Sequence, residues 1–126
     1  MNIRVAQEQG RVPVTVFYVQ GQINLGSTEQ LEQLARAAYD DGARDVLIDL
    51  SEASSLTSAG LRTLHVLYQL LNDPLPGAGG ALRKSPHLKL LNPPPALRRV
   101  LQIAGFDVFI DIFDDLQTAI DSFGAQ

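Results

Sequence analysis

The stretch from residue 46 to residue 71 constrains this chain most: VLIDL, then SEASSLTSAG, then LRTLHVLYQLL. The apolar run suits a buried strand, the small polar residues after it a loop over 51–57, and the leucine-rich run a helix over 58–71. Whatever the loop presents is therefore held at the amino end of the helix, where Ser58 lies. The first four N–H groups of a helix lack intrahelical partners, and the aligned peptide dipoles add partial positive charge there. Such an end receives anions. A serine in this place can cap the helix or carry a phosphate, and the sequence is compatible with both.

The helix is more apolar than a surface helix needs to be. Leu61, Leu64, Tyr68 and Leu71 make one stripe, and Ala59, Thr63, Val66 and Leu70 a second beside it. Only Arg62, His65 and Gln69 are left as a polar strip. Since one apolar stripe suffices to face a core, the excess implies either deeper burial or a partner. Asp49, ending the strand, is expected to order the loop by a hydrogen bond rather than to do chemistry.

Residues 3–7 and 12–20 read as strands, the second rich in Val, Thr, Phe and Tyr, and a turn at 8–11 makes them an antiparallel hairpin. Gly21 is expected to break the second strand and Asn24 to sit in a turn. Ser27 and Gln30 match a capping box for a helix with apolar positions Leu31, Leu34, Ala35 and Ala38, stopped by Gly42. The Pro/Gly-rich residues 72–84 read as a surface loop and 88–91 as a short strand. Prolines 93, 94 and 95 suit a helix entry, followed by Leu97, Val100, Leu101 and Ala104 at helical spacing. Gly105 is expected as the left-handed cap, with Phe106 folding back onto Leu101. Residues 108–113 read as the last strand, and Asp114 with Gln117 as a second capping box before the stripe Leu116, Ala119, Ile120 and Phe123. This alternation predicts an α/β fold in one domain over 1–126: a mixed, mostly parallel sheet of about four to five strands, an N-terminal antiparallel hairpin and about four helices.

Composition excludes several function classes. A chain of 126 residues can build one proper core, and the absence of cysteine rules out disulfides, thiolate nucleophiles and Cys-based zinc sites. Net charge is −4, without clustered Lys and Arg, which argues against nucleic acid as a partner. MNIRVAQEQG lacks a signal-peptide pattern and no apolar run reaches the length of a membrane span, so a cytoplasmic protein without direct membrane insertion is expected. His65 and His87 are too few and too separate for a metal site, and no cofactor is expected. No Gly-x-Ser-x-Gly elbow surrounds Ser58, and His65 lies two helical turns beyond it, too far to act as its base. The glycines at 77, 79 and 80 with Lys84 have the wrong spacing for a phosphate loop. Arg98 and Arg99 read as a solvated helix face. The chain is expected to bind rather than to catalyse.

Three segments, VFYVQGQIN, VLIDLSEASSLTSAGLRTL and LKLLNPPPALRRVLQIAGFDVFIDIFDDLQTAI, make nearly the whole chain resemble a STAS domain, the module of bacterial anti-sigma factor antagonists and of sulphate-transporter tails. In antagonists the turn after the middle strand commonly reads Asp-Ser-Ser-Gly or Asp-Ser-Ala-Gly, and the serine after the aspartate is phosphorylated. By position the resemblance makes Ser58 the phosphoacceptor, followed by Ala59, Gly60 and Leu61, with Thr57 as a second candidate. Thr57 replaces the usual aspartate, and Asn24 replaces the acidic residue of the earlier turn. Both substitutions remove like-charge repulsion from a phosphate and also remove groups that could orient the hydroxyl. The implied docking surface comprises Asn24, Thr57, Ser58, Ala59, Arg62, Thr63 and Val66. Its implied partner is an anti-sigma factor that is a serine kinase, bound by a monomer or weak dimer of this chain. The alternatives are a soluble STAS subunit on the ATPase of a lipid-transporting ABC system, since Thr-Ser-Ala-Gly-Leu is close to the Asp-Ser-Ala-Gly-Leu of such subunits, and a scaffold component in stress signalling.

Overall fold

The structure, a computed structural model, describes residues 2–24, 26–72 and 85–124. The loop expected over 72–84 therefore lies, beyond Asn72, outside the described residues. The elements in order are β1 (Asn2–Gln9), β2 (Pro13–Ile23), α1 (Thr28–Asp40), β3 (Val46–Leu56), α2 (Ser58–Asn72), β4 (Leu88–Leu91), α3 (Pro95–Ile103), α4 (Phe106–Phe109), β5 (Asp111–Phe113) and α5 (Leu116–Ser122). The strands lie side by side in chain order, antiparallel between β1 and β2 and parallel elsewhere.

With every strand beside its predecessor, crossovers of one hand all fall on one side of the sheet. Phe17, Val19, Ile48, Leu50 and Leu90 accordingly point to the face covered by Leu31 of α1, Leu64 and Leu67 of α2 and Leu97 and Leu101 of α3. The alternate residues Val14, Val16, Leu47 and Leu91 face the other way, against Ala119, Ile120 and Phe123 at the end of the chain. Both faces of β3 are covered, which is why it reads as an unbroken apolar run instead of an alternating one.

Several expectations need correction. Gly21 does not break β2: at φ 97° it sits among register shifts, and β2 continues to Ile23. Residues 51–56 are strand rather than loop, because the two extensions pair with each other, Gln20 with Glu52, Gly21 with Ala53, Gln22 with Ser55 and Ile23 with Leu56. A glycine able to take the left-handed region absorbs the bulge that keeps them in step. The last strand is shorter than expected, since Gly105 at φ 79° launches the single turn α4 and leaves β5 only Asp111–Phe113. The cap of α5 is Asp115, not Asp114, its carboxylate accepting from Thr118 N at 2.9 Å. That N–H, with the Thr118 hydroxyl, holds the Asp115 carboxyl below its ordinary pKa. Asp114 instead pairs with Arg98, which is therefore not simply solvated. Leu116, expected in the buried stripe, is exposed.

The alternation of β4 turns one charged residue inward. Lys89 is buried on the α5 face, where its ammonium donates to Ser122 O at 3.2 Å and Ser122 Oγ at 2.9 Å and lies 4.8 Å from the Phe123 ring centre. Burial pushes its pKa below the ordinary 10.5, with Asp111 and Asp45 pulling it partly back. Between the depressed folded value and 10.5 the unfolded chain holds the proton more often than the folded one, so this residue makes stability rise with pH across that window. Urea unfolding of Lys89→Met beside wild type tests it. The wild type should gain on the variant as pH climbs towards 10.5, and parallel curves would contradict the assignment.

Candidate functional site

The amino tip of α2 is built where the extensions of β2 and β3 end. Thr57 N donates to Ile23 O at 3.1 Å, the Thr57 hydroxyl donates to the same carbonyl at 3.2 Å, and Thr57 O accepts the N–H of Leu61 at 3.0 Å. Thr57 is thus the residue that starts the helix and ties it to the sheet. Ser58 is one step further on, the first helical residue. It is exposed, and its hydroxyl has no hydrogen bond to another described residue. The capping role open to Ser58 in the sequence falls instead to the place held by Thr57.

Gly60, which the sequence reading used only as part of a motif, sets how closely this tip approaches the sheet. A Cβ there would lie 2.5 Å from Leu56 Cδ1, 2.8 Å from Ile23 Cγ2 and 2.9 Å from Ile23 O. The signal in the sequence was a residue without a side chain between two apolar stripes.

On the opposite wall, Asn24 makes the expected turn. Its Oδ1 accepts from Gly26 N and its carbonyl from Ser27 N and Thr28 N, all at 3.0 Å. Ser27 forms no capping box. Its backbone is already near-helical at φ −119°, ψ −15°, and its hydroxyl turns back to donate to Gln22 O at 2.7 Å and accept from Asn24 N at 3.0 Å. Ser27→Ala should therefore loosen the turn, at a cost of about 1 kcal/mol in urea unfolding. No loss would show that the hydroxyl does not hold it. Asp49 makes the kind of hydrogen bond expected of it, its Oδ1 accepting from Ser51 N at 2.9 Å, but within β3 rather than to a loop.

These pieces meet in an open cleft of about 840 Å³ between α1 and α2. Asn24, Thr57, Ser58, Ala59, Arg62, Thr63 and Val66, the whole expected surface, line it together with Thr28 and Glu32 from α1. Nothing in the sequence places Thr28 and Glu32 there, because only the packing of α1 on α2 brings them to the cleft. Thr63 contributes little polarity, being buried with its hydroxyl turned onto Ala59 O at 3.2 Å.

A second cleft of about 500 Å³ opens on the other side of α2, walled by Leu61, Tyr68, Phe106, Phe109 and Ile110. Ser58 and Arg62 line both clefts and form the ridge between them. The apolar excess of α2 is resolved accordingly: Leu64, Leu67 and Leu71 are buried, Ala59, Leu61, Val66 and Tyr68 remain half-buried along the two clefts, and Leu70 is half-buried. Arg62, His65 and Gln69 are exposed, as the polar strip requires. His65 stacks on Tyr68, whereas His87 pairs with Asp45 at 3.0 Å far from it. Among the described residues no cluster of His, Asp and Glu could hold a metal ion. Nor is any helix among them long and apolar enough to cross a membrane.

The family model described as "Mlab, STAS domain" matches residues 6–114, nearly the whole sheet with α1 to α4. The chain belongs to the STAS domain family. A relative from Bordetella bronchiseptica, BtrV, described as a candidate anti-sigma factor antagonist, is 29% identical over 105 residues, 83% of this chain and 82% of that one. A solved anti-sigma factor antagonist from Mycobacterium paratuberculosis superposes with a TM-score of 0.72 at 26% identity, over 97% of this chain and 94% of that one. The Bacillus cell fate determinant SpoIIAA, solved in its phosphorylated form, shares the fold with a TM-score of 0.67 at 21% identity, over 95% and 97% of the two chains.

Proposed function

We propose that this STAS domain is an anti-sigma factor antagonist that docks onto an anti-sigma factor through the tip of α2, and that phosphorylation of Ser58 releases it. The observation that carries the reading is Ser58 itself, exposed, unused by the helix it opens, and shared by two clefts, one lined mainly by polar residues and the other walled by Leu61, Phe106, Phe109 and Ile110. A hydroxyl in that position is open to a kinase before docking and enclosed afterwards. Relatives described as antagonists support the class of partner. The partner's own kinase activity would supply the phosphate, and this chain contributes the acceptor and a surface rather than catalytic groups.

Incubation with the cognate anti-sigma kinase and ATP, followed by intact-mass measurement, tests the switch. Wild type should gain one phosphate and Ser58→Ala none. A gain on Ser58→Ala would move the site to Thr57, and no gain on either would remove the switch. A second reading draws on the carboxylate-free turn, Thr57-Ser58-Ala59-Gly60-Leu61 with Asn24 opposite: constitutive docking of the same tip on a transporter ATPase. Recovery of that ATPase in a pull-down, in place of a kinase-like anti-sigma factor, would favour it.

A further inference from the structure

The sheet has two edges of very different character. β5 offers only 3 residues, whereas β1 offers 8 and pairs with β2 without a register shift. Exposed edges of that length are normally blunted by proline, lysine or a bulge. Residues 2–9 contain no proline, no lysine and no bulge.

Which backbone groups the edge presents follows from one hydrogen bond. Thr15 N donates to Asp45 O, towards β3, so Thr15 and its β1 partner Gln7 form a non-hydrogen-bonded pair. Gln7 therefore turns its N–H and C=O to the open side, as do Ile3, Val5 and Gln9 by the two-residue repeat.

We propose that β1 is a self-association edge, on which a second copy of this chain pairs antiparallel over residues 3–9 with the two-fold axis at Ala6. Outward-facing residues must meet outward-facing residues, so the axis has to pass through a residue and not between two. At Arg4 or Glu8 it would set a charge against itself. At Val5 or Gln7 it would leave both charges opposite neutral residues. Only at Ala6 does each Arg4 face the partner's Glu8, twice over. In that register Ile3 meets Gln9 and Val5 meets Gln7 in the hydrogen-bonded pairs. Arg4–Glu8 and Ala6–Ala6 occupy the close pairs, where side chains approach most nearly.

The side chains of β1 favour the arrangement. Arg4 lies flat over Tyr18, 4.2 Å from the ring centre, which holds the guanidinium on the sheet face that the second copy's Glu8 would reach. Val5, 44% exposed, stands at the mouth of a cleft lined by Phe17, Leu34 and Ala38, and the second copy's Val5 would sit diagonally beside it. A single strand pair buries less than a standard interface, so the dimer is weak and concentration-dependent. It leaves both α2 tips uncovered and would present them together, raising the effective concentration of one when the other is bound.

Sedimentation velocity on wild type over a concentration series should show a monomer–dimer equilibrium. The chain has no cysteine, so single-cysteine variants report the register. Ala6→Cys should oxidise to a disulfide-linked dimer, since a close antiparallel pair places Cα atoms about 4.5 Å apart, inside the disulfide range. Val5→Cys should cross-link far more slowly, and the reverse order would overturn the register. Gln7→Pro removes an outward N–H in a place where an edge strand tolerates proline. It should sediment as a monomer and stay folded, with a somewhat lower unfolding midpoint because the buried Thr15 hydroxyl loses the Gln7 Oε1 to which it donates at 3.2 Å. Arg4→Glu should weaken association about tenfold, and adding Glu8→Arg should restore it. A wild type that stays monomeric while Ala6→Cys fails to cross-link overturns the proposal, as does a dimer that survives Gln7→Pro. None of these readouts involves an anti-sigma factor, so their failure is separate from failure of the docking reading.

Discussion

A phosphoserine at position 58 should weaken binding of the anti-sigma factor by about a hundred- to a thousandfold while leaving the unfolding midpoint close to that of the unmodified domain. The modification adds roughly −1.5 to −2 charges at pH 7. On the undocked domain Ser58 is exposed at the first position of α2, and the helix end offsets part of the charge, by about 0.3–1 kcal/mol and up to ~2 in a favourable geometry. Docking changes the sign of the effect. Docked, with Leu61, Tyr68, Phe106 and Phe109 walling one side, the phosphate would lose water at a cost on the order of 3–5 kcal/mol, which Arg62 on the same ridge offsets only in part. With about 1.4 kcal/mol per tenfold in affinity, the difference amounts to two to three decades. Titration calorimetry on domain carrying phosphoserine at 58, on wild type and on Ser58→Ala measures it. Ser58→Ala should bind within a few-fold of wild type, because the hydroxyl holds nothing in place. Equal affinity for the phosphorylated and unmodified forms would rule out electrostatic release.

Gly60→Ala should cost about 1–3 kcal/mol of stability, and Gly60→Val more, by overpacking. Three atoms lie within 3 Å of the added carbon, and one is the carbonyl of Ile23. That oxygen already accepts both the N–H and the hydroxyl of Thr57. Backbone cannot step aside as a flexible side chain would, so the helix tip must lift from the sheet and strain both bonds. Urea unfolding should show the midpoint falling with little change in slope. Partner affinity should fall too, since Thr57, Ser58 and Ala59 move with the tip. If Gly60→Ala is as stable as wild type, the close approach does not constrain this end of α2.

Much of the architecture was legible because several segments carry one unambiguous period. The leucine-rich run of α2 and the short strand β4 have their bounds nearly or wholly legible, and the hairpin and the parallel alternation follow from element order. What was hidden depends on neighbours. Residues 51–56 look like loop by composition, and they are strand because Gln20 to Ile23 lie alongside with backbone groups to satisfy. Ser27 and Asp114 both match the letters of a cap, but chain direction decides. One hydroxyl turns back to the preceding strand, and Asp115, with its extended backbone, takes the other place. For the site, the residues on α2 and Asn24 could be placed from the chain, whereas Thr28 and Glu32 needed the packing of two helices. Lys89 was unreadable as a buried charge because nothing in LKLL announces that α5 will cover it.

The strand order has a consequence for how this molecule comes into being. Each new strand joins the one made just before it, so a chain emerging from the ribosome always has a completed edge waiting and never needs a segment that has yet to be synthesised. The exception is the far face, where Val14, Val16 and Leu47 wait for Ala119, Ile120 and Phe123. Until the final helix arrives that surface stays wet and sticky, and during translation it is where a nascent chain would most need a chaperone.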